Sequence, residues 1–395
     1  MIQITNKRDC CGCWACVQRC PKQCISMRED EEGFLYPKID ISLCINCGLC
    51  EKVCPVLNLG ISLSPLKVYV AKSLDEQMRK DSSSGGIFTL LAESIISRGG
   101  VVFGARFNEN WDVIHDYTET IQGLADFRGS KYLQSQIGNT FSKVEQFLKQ
   151  GRCVLFSGTP CQVAGLKRFL RIPYDNLFLV DFICHGVPSP RIWKQYLSEA
   201  MMSILDKKVS DGKTQIEKIS FRDKSMGWKR FSFSLVFSCL GKSYLIKEPS
   251  DKNEYLKGFL ANLYLRPSCY HCETKGWSSG SDITIADAWG INSYMPDFDD
   301  DKGCSLVSIL SPNGLKYFNS LCETERLRKR ESSESFIRQY NPAAFVSAVP
   351  HKKRNVFFKN IRDKKDFYST LKMCLPEHVF LNKVIWHVKR FFSKS

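Results

Sequence analysis

A chain of 395 residues with 43% hydrophobic and 25% charged content has the composition of a soluble globular protein of two or three domains with a sizeable core. No stretch approaches roughly 18 uninterrupted apolar residues and Met1 to Asp9 holds no apolar signal core, so neither a membrane span nor a secretory leader is expected, and the reading is cytoplasmic. The formal charge of +15 would suit an acidic partner, but Lys and Arg are dispersed and no nucleic-acid-binding motif occurs, so nucleic acid is not expected.

Nineteen cysteines would suit a secreted disulfide scaffold, but such scaffolds are short chains, so metal ligation is the better reading. Eight of them fall in two identical runs, Cys10-x-x-Cys13-x-x-Cys16-x-x-x-Cys20-Pro21 and Cys44-x-x-Cys47-x-x-Cys50-x-x-x-Cys54-Pro55. This is the bacterial ferredoxin spacing. A tight loop of three cysteines wraps three corners of a cubane, and the fourth, beside proline, reaches the other cluster. Cys10, Cys13, Cys16 and Cys54 are expected on one [4Fe–4S] cluster, and Cys44, Cys47, Cys50 and Cys20 on the second. Zinc sites take ligands in two pairs rather than in this 2-2-3 spacing. Each cluster with its thiolates sums to about −2, so bound clusters offset part of the basic charge. Cys11 and Cys24 fall outside the spacing and read as bystanders. Ser26 to Ser42 reads as a hairpin-like connector, and the Gly, Ser and Pro from Leu57 to Pro65 mark a boundary.

Lys67 to Ala71 reads as a strand. Asp81-Ser82-Ser83-Ser84-Gly85-Gly86 then opens an amphipathic helix with Ile87, Phe88, Leu90, Leu91, Ile95 and Ile96 on its apolar side, and Val101 to Ala105 is a further strand. That helix start suits a phosphate or a flavin carbonyl, or is simply capped by serine. A linker holds Gly129-Ser130-Lys131-Tyr132, and a helix covers Thr140 to Lys149. Cys153 to Phe156 is a buried-type strand that turns through Ser157-Gly158-Thr159-Pro160 into a helix starting at Cys161. Asn176 to Ile183 is another strand, ending in Cys184-His185-Gly186-Val187-Pro188 before a helix at Trp193. Cys161 and Cys184 thus follow the carboxyl ends of two strands, where open α/β sheets bind ligands.

Phe221 to Ile246 alternates like antiparallel strands with a turn at Gly241, and Asp251 to Leu263 reads as helical. Cys269-x-x-Cys272 precedes the segment Ser281 to Gly290, a strand running into a turn. With Cys161 and Cys184 it completes four thiols: a third [4Fe–4S] cluster, a zinc site or unpaired core thiols. Cys153, Cys239, Cys304, Cys322 and Cys374 read as buried small hydrophobes. His185 and His271 read as hydrogen-bonding neighbours of the ligands or as a proton relay. Beyond Tyr340 the chain is basic, and Val379 to Phe392 reads as a docking helix.

Ser83-Ser84-Gly85-Gly86, Gly129-Ser130-Lys131-Tyr132, Gly158-Thr159-Pro160-Cys161-Gln162, Cys184-His185-Gly186-Val187-Pro188-Ser189-Pro190 and Cys269-x-x-Cys272 together resemble the family of β-subunits of coenzyme F420 hydrogenases and dehydrogenases, over roughly Val68 to Leu310. The resemblance implies a flavin, FAD, beside a third cluster on Cys161, Cys184, Cys269 and Cys272. It makes Ser83, Ser84, Gly85, Gly86, Lys131, Tyr132, Thr159 and Pro160 the flavin-contact candidates. Ala286-Asp287 departs from the family's usual Gly-Asp. The expected architecture is α/β (α+β overall): a ferredoxin-like domain over residues 1–60, a larger mixed α/β unit over 61–150 and 151–340, and a basic tail over 341–395. The expected activity is an oxidoreductase passing electrons between clusters and flavin, to or from coenzyme F420 or another organic acceptor. The alternative is a non-catalytic electron-transfer subunit. The expected partners are a redox protein or a small donor or acceptor, with the chain as homo-oligomer or complex subunit.

Overall fold

The computed structural model describes residues 1–205 and 214–375. The docking helix expected over Val379 to Phe392 lies outside them. Between the two cysteine runs, β1 (Ile25–Glu29) and β2 (Leu35–Ile39) pair as an antiparallel hairpin, Ile25 opposite Ile39 and Glu29 opposite Leu35. Asp30 holds its turn, its Oδ1 accepting from the N–H groups of Glu32 (3.0 Å) and Phe34 (2.9 Å).

The body is built on β3 (Lys67–Ser73), β4 (Val101–Phe107), β5 (Val113–Thr118), β6 (Val154–Gly158) and β7 (Leu177–Phe182). A separate antiparallel sheet follows, β8 (Thr214–Asp223), β9 (Ser232–Cys239) and β10 (Lys242–Pro249). Leu240 and Gly241, both at positive φ, make the expected turn between the last two. β11 (Ile283–Asp287), β12 (Ser305–Ile309) and β13 (Leu327–Glu331) then complete the main sheet, in the order β13-β3-β12-β11-β7-β6-β4-β5. β4, β6, β7 and β11 run parallel, and β5, β12 and β13 each pair antiparallel.

Strands buried on both faces alternate between two helix layers rather than between core and solvent. Val102, Leu155, Phe178 and Val180 pack on one face with Leu90, Leu91 and Ile95 of the helix Ile87–Ile96. Phe103, Val154, Phe156 and Leu179 pack on the other, against the helices Thr140–Lys149 and Pro160–Leu170. Cys13, Ala15 and Val53 join this second layer against Phe141, Val163 and Leu166, so the ferredoxin unit shares a core with the body. Gly165 permits the approach, because a Cβ there would lie 2.8 Å from Cys13 Cβ. A third core gathers Trp193, Phe221, Phe233 and Tyr255 between the small sheet and the helices Pro190–Met202 and Glu254–Leu260.

Three expectations change. The helix read from Asp251 to Leu263 is the shorter Glu254–Leu260, because Asn253 caps it: its Oδ1 accepts from Leu256 N–H at 3.0 Å. β5 was not anticipated, since its polar residues cover one sheet edge and give no clean alternation. Cys239, Cys304 and Cys374 are buried, whereas Cys153 and Cys322 are only half-buried. Among the described residues, no helix is long and apolar enough to cross a membrane.

Candidate functional site

β6 and β7 end side by side at Gly158 and Phe182, so the loops that follow them open on one sheet edge. Cys161 sits in the first turn of the helix Pro160–Leu170. Thr159 opens that helix, its N–H donating to Gln162 Oε1 at 2.9 Å. Cys184 lies two residues past β7. The 3₁₀ turn Pro267–His271 brings up Cys269 and Cys272 from the opposite side. Val187 N–H donates to Cys269 Sγ (3.4 Å), and Cys272 N–H to Ser347 Oγ (3.0 Å). The four thiols line one cavity of about 260 Å³, with Pro160, His185 and His271 also in its wall. Burial pushes the Cys184 thiol up to about 12 and raises Cys269. Thiolates there need a positive centre, which an iron–sulfur core supplies. Four thiols converging on one cavity suit the four corners of a cluster, with the imidazoles of His185 and His271 and the carboxylates of Asp9 and Glu273 in the same wall. His185 Nε2 is 2.6 Å from Asn262 Oδ1, and burial holds its pKa below the usual range.

Cys10, Cys13, Cys16 and Cys54 line a second, small cavity, and Cys20, Cys44, Cys47 and Cys50 a third. Each group of three thus meets the last cysteine of the other run. Cys47 is exposed. The two cysteines read as bystanders are also in these walls. Cys24 Sγ lies 3.3 Å from Cys20 Sγ, and Cys11 lines both the Cys10 cavity and the four-thiol cavity. Cys11 thus stands in the wall between the two cavities, a position that spacing along the chain does not reveal.

Sequence reasoning also passed over Arg266. Its side chain is 0% exposed and donates to Cys10 O (2.8 Å), Leu35 O (2.9 Å) and Gln134 Oε1 (2.9 Å), with Nη2 3.6 Å from Cys10 Sγ. The guanidinium stacks on Tyr36 at 4.3 Å and borders the four-thiol cavity.

The flavin-contact candidates gather further along the same edge. Gly86 is the left-handed residue before the helix Ile87–Ile96. Gly85 N–H donates to Ser305 Oγ (2.9 Å) and Ser84 Oγ to Cys304 O (2.6 Å), so both are already engaged. Ser83 Oγ lies 2.8 Å from Ser130 Oγ, which joins the two candidate segments. Lys131 turns its ammonium onto the carbonyls of Asp126 (2.7 Å) and Arg128 (3.0 Å), and burial lowers its pKa to about 7. Tyr132 stacks on Phe259 at 5.1 Å, and its OH accepts from Arg222 Nη1 (3.2 Å). Arg222, unflagged by sequence, makes a buried bidentate pair with Asp287 (2.8 and 3.0 Å) and donates to Ser83 O (3.2 Å). Lys224, lowered to about 7 by burial, donates to Ser84 O at 2.8 Å. Arg222 is neutralised by Asp287 and Lys224 also donates to Arg79 O, so the two side chains brace the serine–glycine turn from behind. Thr159 stands apart, its Oγ1 3.2 Å from Cys161 Sγ.

Comparison with known proteins matches residues 151–335 to the C-terminal model of the coenzyme F420 hydrogenase/dehydrogenase beta subunit, and residues 68–141 to its N-terminal model. Residues 9–58 match a 4Fe-4S dicluster domain. The chain is 25% identical over 232 residues to a subunit of the F(420)H(2) dehydrogenase of Methanosarcina mazei, covering 54% of this chain and 65% of that protein. It is 23% identical over 192 residues to a coenzyme F420-dependent sulfite reductase from Methanocaldococcus jannaschii, covering 47% of this chain and 29% of that protein. It therefore spans less than two thirds of either relative. An uncharacterized ferredoxin of the same organism is 34% identical over 77 residues, 20% of this chain and 92% of that one. A chain of the F420-reducing [NiFe] hydrogenase complex from Methanosarcina barkeri superposes with a TM-score of 0.46 at 16% identity, covering 77% of this chain and 89% of that chain.

Proposed function

The chain belongs to the family of coenzyme F420 hydrogenase/dehydrogenase beta subunits and carries a 4Fe–4S dicluster domain, and from this we propose an iron–sulfur flavoprotein oxidoreductase acting on coenzyme F420 or another organic acceptor. The observation that carries the proposal is the four-thiol cavity at the carboxyl edge of the sheet, with Cys11 of the ferredoxin unit in its wall. When bound, the clusters supply one-electron transfer and the flavin joins it to two-electron hydride chemistry. Cys161, Cys184, Cys269 and Cys272 hold the third cluster, and the ferredoxin cysteines hold the other two. Gly165 lets Cys13 pack directly on the helix Pro160–Leu170, and Cys11 reaches from the ferredoxin unit into the wall of the four-thiol cavity. Ser83, Ser84, Gly85, Gly86, Lys131 and Tyr132, braced by Arg222 and Lys224, form the flavin's bed, with Thr159 and Pro160 on the cluster side.

Anaerobic purification with an iron, zinc and flavin count tests this. The expected result is about twelve irons, one flavin and no zinc per chain, falling to about eight irons in Cys161→Ser with turnover lost. An unchanged iron count and turnover in that variant would remove the third site. A second reading, an electron-transfer component of a larger complex, is favoured by the Methanosarcina mazei relative, itself one subunit of a dehydrogenase. It predicts clusters, no tightly held flavin, and no turnover by the isolated chain.

A further inference from the structure

We infer that Arg266 sets the reduction potential of the cluster proposed on Cys10, Cys13, Cys16 and Cys54, as a positioning residue between that cluster and the four-thiol cavity. The inference rests on the cluster reading above. The guanidinium is fully buried, and its partners among the described residues are neutral oxygens and one thiol sulfur; no carboxylate is among them. A buried cation without a counter-anion is strongly disfavoured, so such groups are found paired. A [4Fe–4S] core with four thiolates, at about −2 oxidised and about −3 reduced, supplies the missing anion.

The placement is built rather than incidental. Gly12, at φ +70°, leaves room for it: a Cβ there would lie 2.9 Å from Arg266 Nη1. Tyr36 holds the guanidinium plane at 4.3 Å, and Gln134 holds both Nη1 and, through its own Nε2, Cys11 O (3.2 Å). On the other side, Arg266 O accepts from Cys269 N–H at 2.9 Å, so one residue touches the backbone of both cysteine sets. A fixed positive charge favours the more negative, reduced state of a neighbouring cluster. Arg266 therefore makes the inner ferredoxin cluster a stronger electron acceptor than it would be without that charge; the cavity of the outer one, on Cys20, Cys44, Cys47 and Cys50, is bordered instead by Lys22 and by the Met1 terminus, whose ammonium pairs with Glu51 at 3.1 Å.

The test is a redox titration of the whole chain followed by electron paramagnetic resonance, with cysteine proton shifts assigning each cluster, after an iron count. In Arg266→Gln the reduced-to-oxidised ratio of the inner cluster at fixed potential should fall roughly tenfold, about 59 mV for one electron, with the outer cluster unmoved. Arg266→Lys, which keeps the charge, should titrate close to the parent. A complete iron count with an unshifted inner cluster, or equal shifts in the Gln and Lys variants, would overturn the inference. An iron count lacking the inner cluster in the parent protein would instead overturn the cluster reading itself. Should Arg266→Gln fail to hold iron, Gln134→Glu carries the test. It neutralises the guanidinium in place, and the same potential should fall; an unchanged potential there overturns the inference.

Discussion

Asp181 is a carboxylate buried in β7, accepting from Ser279 Oγ at 2.6 Å and from Thr284 Oγ1. Desolvation raises its pKa from 3.8 to about 6. The folded state therefore binds more protons than the unfolded one between these values, and its contribution to stability is lost as pH rises through 6. Anaerobic denaturant titrations should find this contribution about 1 kcal/mol larger at pH 5 than at pH 7.5. Asp181→Asn should remove that difference, and an unchanged difference would refute the assignment. Arg222 is the opposite case, a charge fully paired with Asp287, to which Trp228 Nε1 also donates at 2.9 Å. Arg222→Ala leaves the half-buried Asp287 with Trp228 Nε1 as its remaining side-chain donor, with an expected cost of about 1–3 kcal/mol in a denaturant titration. Neither residue announces itself in sequence, because an isolated Arg or Asp in a strand reads as a solvated face.

At the level of elements, the helix Pro160–Leu170 has two tasks that compete at Gly165. Alanine there would favour the helix by about 1 kcal/mol. It would also push a Cβ to within 2.8 Å of Cys13 Cβ, and overpacking of this kind costs about 1–3 kcal/mol. Overpacking wins because Cys13 sits in a loop that clusters and neighbours hold in place. Gly165→Ala should loosen the inner ferredoxin cluster, seen as faster bleaching in air, while helix content is kept. The hairpin turn at Leu240–Gly241 and the helix Thr140–Lys149 were legible in advance, because turn chemistry and apolar period are local signals. β12 and β13 were not, since as added antiparallel strands they are defined by their partners β3 and β11.

For the whole molecule, the question is how the ferredoxin unit stays seated. Beyond the shared core, Arg354 forks onto Glu32 of the β1–β2 turn at 2.7 and 2.5 Å, and Arg191 reaches Glu29 at 2.6 Å. The first pair is largely buried, so removing one partner matters more than at a surface bridge. Glu32→Gln should cost about 1–3 kcal/mol and raise protease sensitivity between residues 25 and 39, and an unchanged cleavage pattern would show the apolar contact alone to suffice.

The cysteine runs were readable from the chain alone because cluster ligation by a tight loop is a matter of spacing along a few residues. The strand–turn–helix units that carry Cys161 and Cys184 were readable for the same reason, as hydrophobic runs ended by Gly and Pro. Only the tertiary structure decided that Cys269 and Cys272 line the same cavity, that Cys11 sits in its wall, and that Arg266 fills the gap beside it. Arg266 meets Cys10 from 256 positions away, Leu35 from 231 and Gln134 from 132. No local pattern encodes contacts of that range, which exist only once the sheet order has brought its carboxyl edge against the ferredoxin loop.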